Sequence, residues 1–600
     1  MRNQIVFLFF LILLAGVQAQ GQIVINEFMA ANSSAVYDPD FNESSDWLEL
    51  YNSGVSDVDL SGYYVTDNLS DTTKWMIPEG TILPAGEFLV IWADGMNTGL
   101  HTSFKLSSIG EELGIYTAAE ELLDGIIFPL QATDISYGRE MDGSDTWVWF
   151  AQSTPGASNN DAQSYEGVTY YEPAFSVHGG FYSGTLSVAL SSLGGEIRYT
   201  LDGREPTMDD PLYTEPLLVD STSFIRARVF EENFIAGPTI THSYFFDDTF
   251  AERGLPVISL VTDPDFFWDP EIGLYVQDFK PDWEHPLNIE FFENDAANQA
   301  VFNERAGVKI NGQNSWVLPQ KMLGIYFRNQ YGAGHLEYPL FADRDRAVFD
   351  DFVLRAGGSD WAYSMIRDGV CQSLPQDNAD VGYQGFRQSI VFINGEYMGI
   401  HNIRSRLNDG FVEENYGVAS GTYDLIANDG EIEEGDDIAY ELMDDLFNAD
   451  LTVQANFDAL DSVVDLQNFA DYWITEIWSS NQSWAHNVML WKPHDGGKWQ
   501  FLLGDLDRGI SGATNDAINS FSVPAEGDYW DNYAQRWLEH VFARPEYAAY
   551  FVQRFNDHLY TSFHPHQVTR EMHRFADPIR TEMAYHADRW AGHGPWRRGS

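Results

Sequence analysis

From Ile23 to about residue 246 the chain is written in short apolar runs separated by turn-forming residues, and this punctuation limits the possible folds more than any other feature. Ile23-Val24-Ile25-Asn26-Glu27-Phe28, Trp47-Leu48-Glu49-Leu50-Tyr51, Phe88-Leu89-Val90-Ile91-Trp92 and Leu113-Gly114-Ile115-Tyr116 are rich in β-branched and aromatic residues. Strands at this spacing with few helical stretches predict a β-sandwich over residues 22–160. A second all-β unit is expected over 168–246, where Ile197-Arg198-Tyr199-Thr200-Leu201-Asp202-Gly203 places a turn after a strand. From about residue 254 the texture becomes α+β. Strand-like Pro256–Leu260 and Gln388–Ile393 mix with helix-like Asn468–Trp478, Pro545–His558 and Asp577–Trp590, the last with Asp577 as N-cap and Pro578 at the first helical position. The expected fold is thus multidomain: two all-β sandwiches, then an α+β domain over 254–600, with linkers at 159–165 and 247–254.

A chain of 600 residues has ample length for several cores. Its lone cysteine, Cys371, permits no intramolecular disulfide, so stability must come from packing, and Cys371 itself is expected as a small buried residue. Lys and Arg total 33 against 91 Asp and Glu, a formal net charge of −58. This excludes nucleic-acid backbone binding, which needs a basic surface to displace counterions. Acidic loops such as Asp38-Pro39-Asp40-Phe41-Asn42-Glu43 are candidates for Ca²⁺, although they lack the EF-hand spacing.

The N-terminus has the layout of a secretory signal peptide: Arg2, an apolar run from Ile5 to Gly16, and a small-x-small site at Val17-Gln18-Ala19. Cleavage is expected after Ala19, giving a secreted or cell-surface protein. The apolar run is too short to cross a ~30 Å hydrocarbon core, so no transmembrane anchor is expected.

Two stretches of the α+β region carry candidate chemistry. Asn311-Gly312-Gln313-Asn314-Ser315 forms a polar turn between strands, followed by Pro319-Gln320-Lys321. Lysine is scarce here, and Lys321 stands where an ammonium would pair with nucleotide phosphates, unless it is simply a surface lysine. Further on, a loop Asn481-Gln482-Ser483-Trp484-Ala485-His486-Asn487 precedes a hairpin that ends in Gly504-Asp505-Leu506-Asp507. Loop, hairpin, then Asp at a strand end is the layout of a kinase catalytic loop and its metal-binding Asp. Gln482 and Asn487 stand five apart, as the base and second metal ligand do in kinases; loop capping by Asn is the alternative.

The residues carry three resemblances. Ile25-Asn26-Glu27, Asp46–Asn52, Val58–Tyr63, Phe104–Ser107 and Thr154–Asn159 resemble the lamin-tail domain, an immunoglobulin-like sandwich that implies adhesion or spacing. Ile197–Gly203, Pro206-Thr207, Tyr213, Pro216 and Phe224–Arg228 resemble the fibronectin-like domain at the C-terminus of chitobiases and hexosaminidases, an accessory module without glycosidase activity. Gly307–Gly312, Pro319-Gln320-Lys321, Tyr338–Phe341, Leu354-Arg355, Asp360-Trp361, Met365–Asp368, Phe392–Ile400, Tyr423–Ile426 and Gly504–Asp507 resemble the spore-coat CotH family of atypical protein kinases. That resemblance implies Mg²⁺ and ATP, with Lys321 binding nucleotide, Asn487 and Asp505 as Mg²⁺ ligands, and Asp507 and Arg404 in supporting roles. It also implies phosphate transfer to Ser or Thr of a surface or secreted protein. Gln482 stands where the family's catalytic Asp is expected, and Arg404-Ser405-Arg406-Leu407-Asn408 replaces an expected Arg-Glu-Arg-Ile-Asp. The alternative is a non-catalytic surface or matrix attachment protein.

Overall fold

The computed structural model describes residues 22–41, 43–247, 249–293, 295, 297–312, 315–344, 346–428, 430–481, 484, 487–510 and 533–593. The signal-peptide expectation therefore lies outside the described residues, and so does Gln482. Two compact units emerge: one of residues up to 171 together with Phe230–Gly237, the other of Glu172–Val229 and everything from Pro238 onward.

The first unit is the expected sandwich. One sheet orders its strands as Ser164–Tyr165, Trp147–Phe150, Ser136–Arg139, Ile23–Met29, Trp47–Asn52 and Phe88–Trp92. The other orders Trp75–Met76, Tyr64–Thr66, Glu111–Tyr116 and Leu122–Phe128. Period-2 alternation turns Ile23, Ile25, Leu48, Leu50, Ile91, Leu113 and Ile115 into one buried core. Strings that marked this domain in the sequence also hold a buried polar brace. Glu27 accepts hydrogen bonds from Ser136 and Thr154. Glu49 accepts from Asn26 (3.1 Å) and from the Gly156 N–H (2.6 Å), and burial pushes its carboxyl up to about 8. Asn159 donates to the Arg139 carbonyl at 2.8 Å. These contacts pin the 154–159 segment to the sheet, so those residues serve structure.

In the second unit the small all-β part centres on the strands Gly180–Phe181, Ile240–Phe245, Ser223–Phe230 and Glu196–Thr200. It does not stand apart from the α+β region. Asn298 donates to the Phe181 carbonyl (2.7 Å) and accepts from its N–H (2.6 Å), Arg305 pairs with Glu205 at 2.9 Å, and Phe181, Phe245, Phe250, Phe292 and Phe392 stack into one aromatic cluster. The 247–254 stretch, expected as a linker, contains a one-turn helix, Phe250–Arg253, whose Phe250 is buried in that cluster. Apolar anchors override its turn-like composition.

The α+β region begins with a closed seven-stranded barrel ordered Val257–Val261, His285–Phe292, Ala300–Ile310, Leu323–Tyr326, Asp351–Arg355, Glu396–Arg404 and Phe386–Ile393, shut by parallel pairing of the first strand with the last. Inward residues such as Ile258, Leu260, Ile289, Leu323, Leu354 and Val391 fill it, while Val257, Phe292, Ile390, Phe392 and Ile400 face a second core built with the helices. Both faces are covered, which is why these strands read as nearly continuous apolar runs. Beyond the barrel a five-stranded sheet orders Gly382–Tyr383, Gln500–Leu503, Met489–Pro493, Tyr423–Ala427 and Glu431–Glu434. Helix Leu466–Ser479 packs on it, started by Asp465, whose carboxylate accepts from the N–H groups of Gln467 and Asn468.

Cys371 is a free, buried thiol, as its apolar setting implied. One helix differs from expectation. Asp577 and Pro578 lie in the last turn of helix Pro565–Ile579, and a separate short helix, Met583–Arg589, comes after it. Pro578 gives up the backbone bond to the Arg574 carbonyl and crowds it, a cost that burial of Phe575 and Ile579 offsets. Among the described residues no helix is long and apolar enough to cross a membrane.

Candidate functional site

The strand Gln500–Leu503 delivers Gly504, Asp505, Leu506 and Asp507 to the foot of a cleft of about 570 Å³. Asp505 takes a left-handed backbone (φ 53°), and Leu506 is fully buried beside it, its N–H donating to Asp368 Oδ1 at 2.8 Å. This turn sends the two carboxylates toward the barrel. There Arg355, at the end of the strand Asp351–Arg355, donates one guanidinium nitrogen to Asp505 and to Asp507 Oδ2 (2.6 Å to the latter). The Ser359 N–H also donates to Asp507 Oδ2, at 2.7 Å. Gly358, with φ 57°, lets the backbone approach so closely: a Cβ there would lie 2.2 Å from Asp507 Oδ2.

Behind this layer stands a second. Asp368, in the first turn of helix Arg367–Ser373, pairs with Arg404 Nη1 at 2.9 Å and accepts from Gln372 at 2.8 Å. Burial opposes its ionisation, yet Arg404 and Arg355 hold its carboxyl below the usual range. The Arg355 guanidinium is raised well above its ordinary value: burial works against this, but Asp505, Asp368 and Asp507 outweigh it. Asp507 moves the other way, up to about 7, because burial dominates and Asp505 and Asp368 repel its charge, while Arg355 only partly compensates. Three carboxylates face two guanidiniums, so one negative charge is left over when all are ionised. Among the described residues, Asp507 Oδ1 is buried without a hydrogen-bond partner. From the helix end above, Glu476 is pushed up to about 8, chiefly by burial.

Asn487, just ahead of the strand Met489–Pro493, donates its amide to Asp505 Oδ2 at 3.0 Å. Asn487, Asp505 and Asp507 therefore meet in one cleft, as their order along the chain suggested. Arg404 is buried one step behind and acts on the site through Asp368. Lys321 is placed differently: its side chain is largely buried, its ammonium donates to the Trp316 carbonyl at 2.6 Å, and the rings of Tyr275 and Trp316 lie 6.0 Å away. Burial lowers its pKa, and it does not line the cleft, whereas its neighbour Met322 does. Gln320, from the same Pro-Gln-Lys string, is a buried hub that donates to the carbonyls of Met398 and Ile400 and accepts from the Trp361 indole.

Arg355, Asp368 and Ser359 were not singled out from the sequence as site residues. One signal was available. Arginine is scarce in so acidic a chain, and Arg355 closes the otherwise apolar run Phe352-Val353-Leu354. A cation there needs buried anions to meet it.

The donor set suits a hard divalent cation. Asp505, Asp507 and the amide of Asn487, turned half round to present its oxygen, are all oxygen ligands of the kind Mg²⁺ takes, and a cation would offset the buried charge at Asp507 Oδ1. The cleft also has a floor of Met322, Leu407, Val488 and Met489 beside polar Asn311, Ser315 and Asn428, so it offers both apolar contact and hydrogen bonding.

Comparison with known families gives three matches. Residues 308–599 match the CotH kinase protein family, 17–128 the lamin tail domain, and 177–241 the chitobiase/beta-hexosaminidase C-terminal domain. Every residue named as lining the cleft falls within the first of these. No curated protein matches the chain.

Proposed function

For a chain that joins a lamin tail domain and a chitobiase/beta-hexosaminidase C-terminal domain to a domain of the CotH kinase protein family, we propose the function of an exported phosphotransferase. It moves the γ-phosphoryl group of ATP to a Ser or Thr hydroxyl of a surface or secreted protein. The observation that supports this most is the convergence of Asp505, Asp507 and Asn487 in one cleft, with a buried carboxylate oxygen left unpartnered among the described residues. The signal-peptide-like N-terminus and the net charge of −58 favour a protein partner outside the cell over a nucleic acid.

In this reading Asp505, Asp507 and Asn487 would hold Mg²⁺, which supplies neutralisation of charge on the β- and γ-phosphates. Arg355 then has two roles. Without nucleotide it offsets the carboxylates, and with nucleotide it would join Arg508, a guanidinium that also lines the cleft, as a donor to phosphate oxygens. Ser359 N–H and Asp368 fix the positions of Asp507 and Leu506, so the metal-facing oxygens are set before substrate arrives. The hydroxyl proton cannot be taken by Gln482, whose amide is neutral. Phosphoryl transfer depends mainly on positioning and charge neutralisation, so loss of the base slows the reaction without abolishing it.

A second reading has its own support. Arg355 spans Asp505 and Asp507, the ground a metal would occupy, and Gln482 replaces a carboxylate. Both fit a kinase fold retained for attachment. The two readings part on one experiment with the full chain: Mg²⁺-ATP binding, followed by transfer assays on wild type, Gln482→Asp and Asp505→Ala. The phosphotransferase reading expects metal-dependent binding lost in Asp505→Ala, and a rate raised by roughly 10²–10⁴-fold in Gln482→Asp. Absence of Mg²⁺-ATP binding by wild type refutes it in favour of attachment.

A further inference from the structure

A second group of metal-type ligands lies in the first unit, on none of the elements that build the cleft. Asp38, Asp94 and His101 each offer one donor atom, and these atoms all fall within 4.8 Å of one another. Each residue is fixed by backbone pairing: Asp38 bridges to Glu43, Asp94 to Lys105, and His101 to Trp92. His101 is thus tied to the end of the strand Phe88–Trp92, and Asp38 is held by a bridge within its own loop.

The hydrogen bonding around His101 is asymmetric in an informative way. Its Nδ1 lies 2.6 Å from Asp94 Oδ2 and 3.7 Å from Asp38 Oδ2, while its Nε2 lies 3.3 Å from Asp40 Oδ2. One ring nitrogen carries at most one proton, so Nδ1 can serve only one of its two carboxylates. Asp94 takes that place, and among the described residues Asp38 Oδ2 has no hydrogen-bond partner although Asp38 is fully buried. A buried, unpartnered carboxylate oxygen is costly unless something positive meets it. On the far side of the ring, Asp40 Oδ2 lies 3.3 Å from Nε2, where it can hold that nitrogen's proton. A metal ion could then replace the Nδ1 proton between the ring and Asp94, the arrangement in which a carboxylate orients a metal-bound histidine.

We propose that Asp38, Asp94 and His101 Nδ1 form a binding site for a divalent transition-metal ion, with Zn²⁺ the best match, and that Asp40 orients the histidine. An imidazole with two carboxylates suits Zn²⁺, whereas Ca²⁺ takes oxygen ligands almost exclusively. The acidic loop that suggested Ca²⁺ in the sequence thus supplies only part of the donor set, and His101, 61 residues from Asp40, changes the metal it selects. The ion would tie the 38–43 loop to the 94–101 segment, a structural cross-link in a chain with no disulfide.

The test uses the full chain, dialysed against Zn²⁺ or Ca²⁺ with bound metal counted, in wild type, His101→Ala, Asp38→Asn and Asp505→Asn. The expected result is one tightly held Zn²⁺ in wild type and Asp505→Asn, with affinity reduced more than about tenfold in His101→Ala and Asp38→Asn. Zn²⁺ should also raise the unfolding midpoint of wild type but not of His101→Ala. Should His101→Ala fail to fold, Asp40→Asn is read instead, and a weaker but measurable Zn²⁺ site is expected there. Zn²⁺ retained as tightly by His101→Ala and Asp38→Asn as by wild type overturns the proposal. So does a site that prefers Ca²⁺, or the absence of Zn²⁺ binding, which would leave an imidazolium shared by two carboxylates as the account of the cluster.

Discussion

Replacing Arg355 with Met keeps most of the side-chain volume and removes a cation that touches both Asp505 and Asp507. The side chain is only 12 % exposed, and it offsets Asp368 as well. Breaking a buried ion pair from one side costs about 3–5 kcal/mol, since the remaining charges stay buried. Part of that cost can be escaped. Asp507 already sits at about 7, and losing Arg355 moves it higher, so it can protonate. An acid whose folded pKa lies above its unfolded value contributes stability that is complete below the unfolded value and lost as pH rises through the folded one. The deficit of Arg355→Met should therefore be small at pH 6 and grow above pH 7 by up to about 1.4 kcal/mol per pH unit. Calorimetry of the full chain in EDTA, following the transition of the second unit, should show a midpoint deficit about 1–2 °C larger at pH 8 than at pH 6, since a unit of this size loses about 1 °C per kcal/mol. Millimolar Mg²⁺ should restore much of it, because a dication can replace the lost guanidinium between the carboxylates. If Arg355→Met is as stable as wild type at pH 8, or if Mg²⁺ leaves the deficit unchanged, the electrostatic account of this cluster is wrong.

The same packing sets further outcomes. Gly358→Ala should weaken Mg²⁺-nucleotide binding more than tenfold by pushing Asp507 off the Ser359 N–H, whereas Gly417→Ala, with φ 68° and no atom near its would-be Cβ, should show only the backbone penalty of about 1 kcal/mol. Equal nucleotide affinities in the two variants would contradict the clash. Buried His401 and His586 have pKa values lowered by burial to about 4 and about 3. A base depressed in the fold lends stability that is present above its unfolded value and lost as pH falls, so the second unit should lose about 3 kcal/mol between pH 6.5 and pH 5 from this pair. Urea titrations at the two pH values should show roughly half that loss in His586→Gln; an identical pH slope would place His586 in a solvated setting.

Local features of this protein are written in its sequence. Alternation and turn residues place the sandwich strands, the apolar runs place Val257–Val261 and Phe386–Ile393, and the helix-like stretch from Asn468 to Trp478 places helix Leu466–Ser479. Asn487, Asp505 and Asp507 were legible because they fall on one loop and hairpin, where short-range chain geometry alone brings them together. Which partner each of these groups meets is a matter of long-range packing. Arg355 and Ser359 reach Asp507, and Asp368 reaches Leu506, across separations of 138 to 152 residues. Periodicity tells a side chain which face of its own element it occupies, not which element covers that face. The same limit explains Lys321, whose scarcity suggested phosphate binding and whose burial behind the cleft depends on Trp316 and Tyr275. It explains the small β-domain too: its strands were plain in the sequence, but its fusion to the barrel rests on Asn298, Arg305 and a cluster of phenylalanines drawn from several separate strands. Buried charges make the point most sharply. Their energy is set by the few ångströms around them, and those neighbours are chosen by the packing of the whole unit.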